Sequence, residues 1–286
     1  MPIVVTGATG QLGRLTIDSL IARGTAPDQI VAAGRNADRL AELAPLGVKT
    51  ARIDLADGTG LDEAFAGADT LLLVSANVPG TRVALHSAAI EAAQRARLGR
   101  IVYTSAPHAD TSELVLAPEH KATERIIAAS GIPYSFLRNG WYTENYAGDL
   151  ATARRTGVIA KSAGDGRVAS AARADFAEAA AVALTSGASG NEIYELGGDV
   201  AWTFHDLAAA FADALGRDVI YTPLSPEEER AQLLSFGLDE GTAGFVVALN
   251  GNIRDAVLAE TSGDLARLIG RPTTPMPETI RAMAGA

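Results

Sequence analysis

Met1-Pro-Ile-Val-Val-Thr-Gly-Ala-Thr-Gly-Gln-Leu-Gly13 decides the reading of this chain. Ile3-Val-Val is a short β-branched run and runs straight into Gly7-x-x-Gly10-x-x-Gly13. Leu12, Leu15, Leu20 and Ile21 then recur at helical spacing, with Gly24 as a stop, which predicts a helix over 11–23. Strand, glycine turn and helix together form a pyrophosphate cradle. The first glycine allows the tight turn, the second lets backbone N–H groups approach phosphate, and the third lets helix and strand pack closely. Gly7, Thr9, Gly10, Gln11, Leu12 and Gly13 are therefore the expected contacts. The plainer alternative is a glycine-rich turn with no ligand. The position of the motif, after a strand and before a helix, favours the cradle.

The same rhythm continues outward. Strand-like segments at 2–6, 29–34, 48–53, 69–75, 99–105 and 133–138 alternate with helical patterns near 11–23, 36–44, 60–66, 80–97 and 112–130. The strands are continuous Val, Ile and Leu runs with little polar alternation, as expected when both sheet faces are covered. The pattern predicts a Rossmann-like doubly wound parallel sheet with right-handed crossovers, an α/β fold. The rhythm changes after about residue 150. Gly164-Asp-Gly166 signals a turn, and a helix near 174–186 and a strand at 191–196 extend the core. Residues 203–215 read as an amphipathic helix between Thr203 as N-cap and Gly216 as stop, followed by a strand at 218–222 and charged helices from Ser225. The expectation is a nucleotide-binding domain over 1–150, with core extensions near 174–196, and a smaller C-terminal α/β lobe over 151–286.

Composition narrows the chemistry. The 286 residues are 48% hydrophobic, enough for a sizeable core, and the net charge is −10. No run of Lys or Arg could track a phosphate backbone, so nucleic acid is not an expected partner. The absence of Cys excludes disulfides, thiolate metal sites and thiol nucleophiles. His86, His108, His120 and His205 lack ligand spacing, so no metal is expected. No leader and no apolar run of ~20 residues is visible, so a soluble cytoplasmic protein away from membranes is expected.

The end of the second strand chooses between dinucleotides. An acidic residue about 20 positions after the glycine turn would bind the ribose hydroxyls of NAD, whereas an Arg accommodates the 2′-phosphate of NADP. Here the strand ends Gly34-Arg35-Asn36 and the next carboxylate is Asp38, so Arg35 predicts NADP(H). Asp54 and Leu55 follow the third strand where the adenine edge would pass. Equally, Asp54 or Asp57 could serve as a loop or N-cap residue before the next helix. Ser75 and Ala76, ending the fourth strand, are expected along the inner ribose, against the plainer reading of strand-end packing.

Many dinucleotide enzymes of this size carry Tyr-x-x-x-Lys, whose phenol exchanges a proton with the substrate. No such motif exists here. Reducing an isolated ketone needs a positioned acid, but hydride addition to a quinone gives a delocalised phenolate that water can protonate. The missing acid therefore points to quinones or similar conjugated electrophiles. Thr104-Ser105 ends the fifth strand, and His120 lies in the first turn after Pro118, where it could donate a hydrogen bond or, at an ordinary pKa near ~6.5, a proton. The alternative is an exposed helix histidine. Leu137-Arg138-Asn139-Gly140-Trp141-Tyr142, with Asn145 and Tyr146 one turn on, ends the sixth strand. A chain with only 5% aromatic residues places three of them here, and flat rings with amide donors suit a planar substrate. Trp141 and Tyr146 could equally be a hydrophobic staple closing the loop onto the core. Ser105, His120 and Tyr142 are the candidate catalytic residues. Arg138 and Asn139 are candidate cofactor contacts, and Trp141, Tyr142 and Asn145 candidate substrate contacts.

Gly7-Ala-Thr-Gly-Gln-Leu-Gly13, Arg35-Asn36, Tyr103-Thr-Ser105, His120, Ile132-Pro-Tyr, Leu137-Arg-Asn-Gly-Trp-Tyr-Thr-Glu-Asn-Tyr146, Gly164-Asp-Gly166, Tyr194-Glu-Leu, Trp202-Thr-Phe, Leu268-Ile-Gly and Pro272-Thr-Thr occur in this order. In this they resemble the NmrA-like group of atypical short-chain dehydrogenases, especially its quinone- and triphenylmethane-dye-reducing branches. The resemblance covers nearly the whole chain. It implies NADPH held at Gly7–Gly13 and Arg35, a substrate cleft between nucleotide domain and C-terminal lobe, and direct hydride transfer without flavin. His120 lines up with the catalytic Lys of the related plant aryl ether reductases, a departure that speaks against their base chemistry here. The dye reductases differ from this chain around Ser105–His108 and Gly140–Tyr146, which ranks quinones first and cationic dyes second. The group also contains non-enzymatic NADP-binding regulators, the third alternative. A homodimer is the candidate assembly.

Overall fold

The structure, a computed structural model, describes residues 2–285 apart from Asn77, Pro79 and Ser189. The chain forms two compact units, each assembled from separate stretches. The first takes the chain up to Asp110, then Pro118–Asn139 and Ala174–Glu195. The second takes Thr111–Ala117, Gly140–Arg173 and everything from Leu196 onward.

The first unit is built on strands β1 (Ile3–Val5), β2 (Ile30–Gly34), β3 (Lys49–Arg52), β4 (Thr70–Leu73), β5 (Arg100–Ser105), β6 (Tyr134–Asn139) and β9 (Glu192–Leu196). Among the described residues they lie in the order β3-β2-β1-β4-β5-β6-β9. The pairs from β3 through β6 are all parallel, with Val4 facing Val31 on one side and Leu71 on the other. The order reverses at β1, between β2 and β4, which is the switch point where such sheets open a ligand crevice. Helices α1 (Gln11–Ala22), α2 (Ala37–Ala41), α3 (Leu61–Phe65), α4 (Arg82–Ala96), α5 (Ala117–Ala129) and α7 (Arg173–Thr185) connect the strands.

Why the apolar runs read as strands is visible in their burial. Every residue of β1, β4 and β5 is buried. One cluster joins Phe65, Leu71, Leu73, Ile90, Ile101, Tyr103 and Phe136. Alanines at 89, 92 and 93 on α4 are fully buried and let the helix approach the sheet closely. At the edge, β3 keeps Lys49 and Arg52 exposed, a charged border that discourages pairing with another chain.

The second unit contains α6 (Ala147–Thr156), the parallel pair β7 (Val158–Lys161) and β11 (Ile220–Pro223), and the antiparallel pair β8 (Arg167–Val168) and β10 (Trp202–Thr203). Helices α8 (Phe204–Leu215), α9 (Pro226–Ser235), α10 (Glu240–Arg254), α11 (Asp264–Ile269) and α12 (Met276–Ala284) complete it. Thr203 caps α8 through a reciprocal pair with Asp206, and Gly216 ends it in the left-handed conformation at φ 62°. Ser225 and Glu228 make the same box on α9. Phe204, Leu207, Phe211, Leu265 and Ile280 are its fully buried centre.

Candidate functional site

The glycine turn works as backbone geometry. Gly7 sits at φ +62°, a conformation costly for other residues, and its carbonyl accepts the Gly10 N–H at 2.8 Å. A β-carbon on Gly13 would lie 2.3 Å from that carbonyl oxygen, so only glycine permits this approach of helix to turn. Gly10 is the N-cap of α1 and supplies no side-chain cap, and no acidic residue occupies the first turn. The first N–H groups of α1, with their partial positive charge, are thus left for an anion.

These residues wall a cavity of about 450 Å³ in the first unit. The structure brings Gly7, Thr9, Gly10, Gln11, Leu12, Gly13, Arg35, Asp54, Leu55, Ser75 and Ala76 together around it. Thr6, Gly34, Asn36, Arg39, Val74 and Val78 also line it, and sequence reasoning missed them. Arg39 was findable. It lies four residues after Arg35, on the helix that Asn36 starts by accepting the Arg39 N–H at 3.0 Å. Arg39 Nη1 reaches the Thr9 carbonyl at 3.4 Å. Both arginines are exposed, and among the described residues neither forms an ion pair with a carboxylate. Asp54 lines the cavity and also accepts the Ala56 N–H at 2.9 Å, while Asp57 accepts that of Thr59. Neither caps α3, whose N-cap is Gly60 at φ 73°.

The candidate acid behaves differently from expectation. His120 is 6% exposed, not on an open helix face, and its Nδ1 lies 2.8 Å from the Tyr103 hydroxyl. Burial, reinforced by the positive field of Arg82 and by His86, pushes its pKa down to about 3. A group neutral at pH 7 can donate a hydrogen bond but does not supply a proton there, which corrects the reading of His120 as a near-neutral acid. Ser105 is also committed, since its hydroxyl donates to Glu124 Oε1 at 2.6 Å. Arg138 grips the same carboxylate through Nε at 3.0 Å and Nη2 at 2.7 Å, and its Nη1 meets Glu195 and Asp110, both at 2.8 Å. Arg138 and Asn139 do not line the cavity; Arg138 is buried because three carboxylates surround it.

The aromatic segment belongs to the second unit. The Trp141 carbonyl accepts the Ala171 N–H, and the Tyr142 ring lies 5.0 Å beneath the Arg173 guanidinium. Asn145 is exposed, with Oδ1 3.5 Å from Arg173 Nη2. Tyr146 is buried and meets Trp202 edge-on at 5.2 Å, so for this residue the core reading holds. Burial and the nearby Asp149 carboxylate push its phenol well up.

Among the described residues no cluster of His, Asp and Glu could hold a metal, and no helix is long and apolar enough to cross a membrane. The residues present fit a dinucleotide phosphate: a cradle that a Cβ would fill, an uncapped helix start, and two arginines at the β2 end.

Comparison with known proteins agrees with this geometry. A family model described as NAD(P)H-binding matches residues 7–186. Quinone oxidoreductase 2 of Escherichia coli (strain K12) is 42% identical over 278 residues, 97% of each chain. The crystal structure of the NADPH-dependent quinone oxidoreductase of Escherichia coli complexed with NADPH superposes with a TM-score of 0.93 at 42% identity, covering 98% of this chain and 99% of that one. The Citrobacter sp. triphenylmethane reductase complexed with NADP(H) gives 0.92 at 37% identity, again over 98% and 99%.

Proposed function

Because the chain belongs to the NAD(P)H-binding family, in its NmrA-like branch, we propose that it is an NADPH-dependent quinone reductase working without flavin. One observation carries the cofactor half of this reading: the cavity runs from the uncapped start of α1 to Arg35 and Arg39 and presents no carboxylate at the β2 end. The backbone N–H groups of Gln11 and Leu12, at the uncapped start of α1, would take the pyrophosphate, and the two guanidinium forks the 2′-phosphate. Asp54, Leu55, Ser75 and Ala76 would flank the adenine and inner ribose. When bound, the reduced nicotinamide supplies a hydride directly to the acceptor.

The substrate half rests on the Escherichia coli relative and on what the candidate acids can do. His120 is neutral at physiological pH, and Ser105 is bonded to Glu124. An acceptor whose reduced form is a stabilised phenolate, protonated by solvent, suits such a site better than an isolated ketone. Trp141, Tyr142 and Asn145 are the residues we assign to a flat substrate. Cationic triphenylmethane dyes are the second reading, favoured by the Citrobacter structure, because a carbocation needs no proton when it takes hydride. We assign it to the cytoplasm, where NADPH is supplied.

The test is NADPH consumption with benzoquinones, naphthoquinones and a triphenylmethane dye, alongside cofactor titration. Turnover with quinones is the expected result. Tight NADPH binding with no turnover across the panel would reassign the protein as a redox-sensing regulator.

A further inference from the structure

The β4 strand ends at Leu73, and the chain then forms one wall of the cavity with Val74, Ser75 and Ala76. Among the described residues the sheet pairing of β4 ends at Leu73. Three side chains from three separate stretches, the turn after β1, the strand β5 and the helix α4, take over in succession. Thr6 Oγ1 accepts the Val74 N–H at 3.0 Å, Thr104 Oγ1 accepts that of Ser75 at 2.8 Å, and His86 Nε2 accepts that of Ala76 at 3.0 Å. Ala76 is held on its other side as well, where Arg82 Nε donates to its carbonyl at 2.7 Å. Arg82 and His86 both belong to α4, and neither lines the cavity.

The polarity of this arrangement is fixed. An imidazole nitrogen that accepts carries no proton, so the proton of His86 is on Nδ1. That N–H has Thr123 Oγ1 at 3.0 Å, and the Thr123 hydroxyl donates onward to the Glu119 carbonyl at 2.9 Å. The Glu119 carboxylate takes Arg82 Nη1 at 2.8 Å and the Gly80 N–H at 3.0 Å. His86 and Thr123 are completely buried. Desolvation, with Arg82 nearby, pushes the His86 pKa down to about 3, consistent with a neutral ring that accepts.

We propose that His86 and Arg82 are positioning residues for the cofactor, setting the shape of the cavity wall at Ala76 from one layer behind it. A wall held through both peptide groups of one residue is organised before the ligand arrives, and binding then loses less conformational entropy. Without the acceptor, the half-buried Ala76 N–H would be left unpaired or would rotate the peptide toward the cavity to find a partner. Either outcome disfavours the bound cofactor without touching the acceptor substrate. The inference rests on the cofactor reading above.

The experiment compares His86→Leu with His86→Gln, whose amide oxygen can still reach the Ala76 N–H. Fluorescence titration with NADPH and steady-state kinetics serve as readouts. The wild-type protein is measured first, and failure to bind NADPH there would overturn the cofactor reading itself. Expected is an NADPH dissociation constant and KM raised about tenfold in His86→Leu, with kcat and the quinone KM within about twofold. His86→Gln should recover most of the affinity. Thr123→Val, isosteric and remote from the cavity, frees the imidazole proton and should shift NADPH affinity in the same direction by a smaller factor, which keeps the test valid if His86→Leu does not fold. Unchanged NADPH affinity in both His86→Leu and Thr123→Val, or a loss in His86→Gln equal to that in His86→Leu, would overturn the inference.

Discussion

The carbonyl oxygen of Gly7 stands 2.3 Å from the position a β-carbon would take on Gly13, and 3.2 Å from that on Gly10. The two glycines therefore fail differently. At Gly13 the clash is backbone against backbone, with the Gly7 carbonyl carbon and the Ala8 Cα also within 3 Å, and nothing can swing aside. Gly13→Ala should destabilise the protein by about 3 kcal/mol and abolish NADPH binding with it. Gly10 has φ −88°, open to any residue. Gly10→Ala should keep most of the melting temperature and lose cofactor affinity, because the methyl group occupies space meant for phosphate. Thermal melts with and without NADPH separate the two, and equal melting temperatures would refute the distinction.

Arg35 and Arg39 share one end of the cavity and, among the described residues, carry no competing carboxylate partner there. Arg35→Ala should raise the NADPH KM at least about tenfold while leaving the NADH KM nearly constant, since only the 2′-phosphate is lost as a partner. Arg39→Ala should act in the same direction more weakly, because that side chain also braces the Thr9 carbonyl. The double variant should no longer discriminate between the two coenzymes. Kinetics with both coenzymes at low and high salt check this, and a parallel loss for NADH would show that the arginines serve the common part of the molecule.

His86 and His120 make stability depend on pH with a definite sign. Both are neutral in the fold, with pKa values pushed down to about 3 by burial, whereas the unfolded chain titrates them near ~6.5. Between those values the unfolded state binds the extra protons, so acidification favours unfolding. Stability from this source is complete above about pH 6.5 and falls as pH drops toward 3, with a slope of up to about 1.4 kcal/mol per pH unit for each ring. Urea unfolding at pH 7, 6 and 5 should show the decline, and His120→Asn should flatten it. A stability that rises on acidification would refute buried neutral imidazoles. The same values predict no inflection in kcat near pH 6.5 from His120.

The sheet was legible because its strands are apolar on both faces. The six expected strands of the nucleotide unit agree with β1 through β6 to within two residues at each end, and Gly24, Thr203 and Gly216 punctuate the helices as read. The cavity lining was legible where a backbone constraint forces residue identity, as at Gly7 and Gly13, or where a charge replaces its opposite, as at Arg35. What stayed hidden depends on long-range pairing. The β7–β11 and β8–β10 pairs are short and carry no periodicity. His86 and Arg82 are single polar residues on α4, and nothing local shows that both reach back to Ala76. His120 read as an accessible acid because helix position says little about burial, and Arg138 read as a cofactor contact because its three carboxylate partners come from separate stretches.

Arg138 tests that last point. A guanidinium that contacts the cofactor and one buried among carboxylates respond oppositely to deletion. Here Glu124 is as buried as Arg138 and takes two bonds from it, while Ser105 adds a third. Arg138→Met removes the only cation bonded to Glu124 among the described residues and should cost about 3–5 kcal/mol of stability, because a carboxylate is left in the interior without its counter-charge. Glu124→Gln should cost less, about 1–2 kcal/mol, since Arg138 keeps Glu195 and Asp110 and the amide oxygen still accepts from Ser105. NADPH affinity of the folded fraction should change far less in Arg138→Met than in Arg35→Ala. Denaturant unfolding beside cofactor titration decides: a stable Arg138→Met protein with weakened NADPH binding would restore the cofactor-contact reading and displace the ion-pair cluster as the reason this arginine is buried.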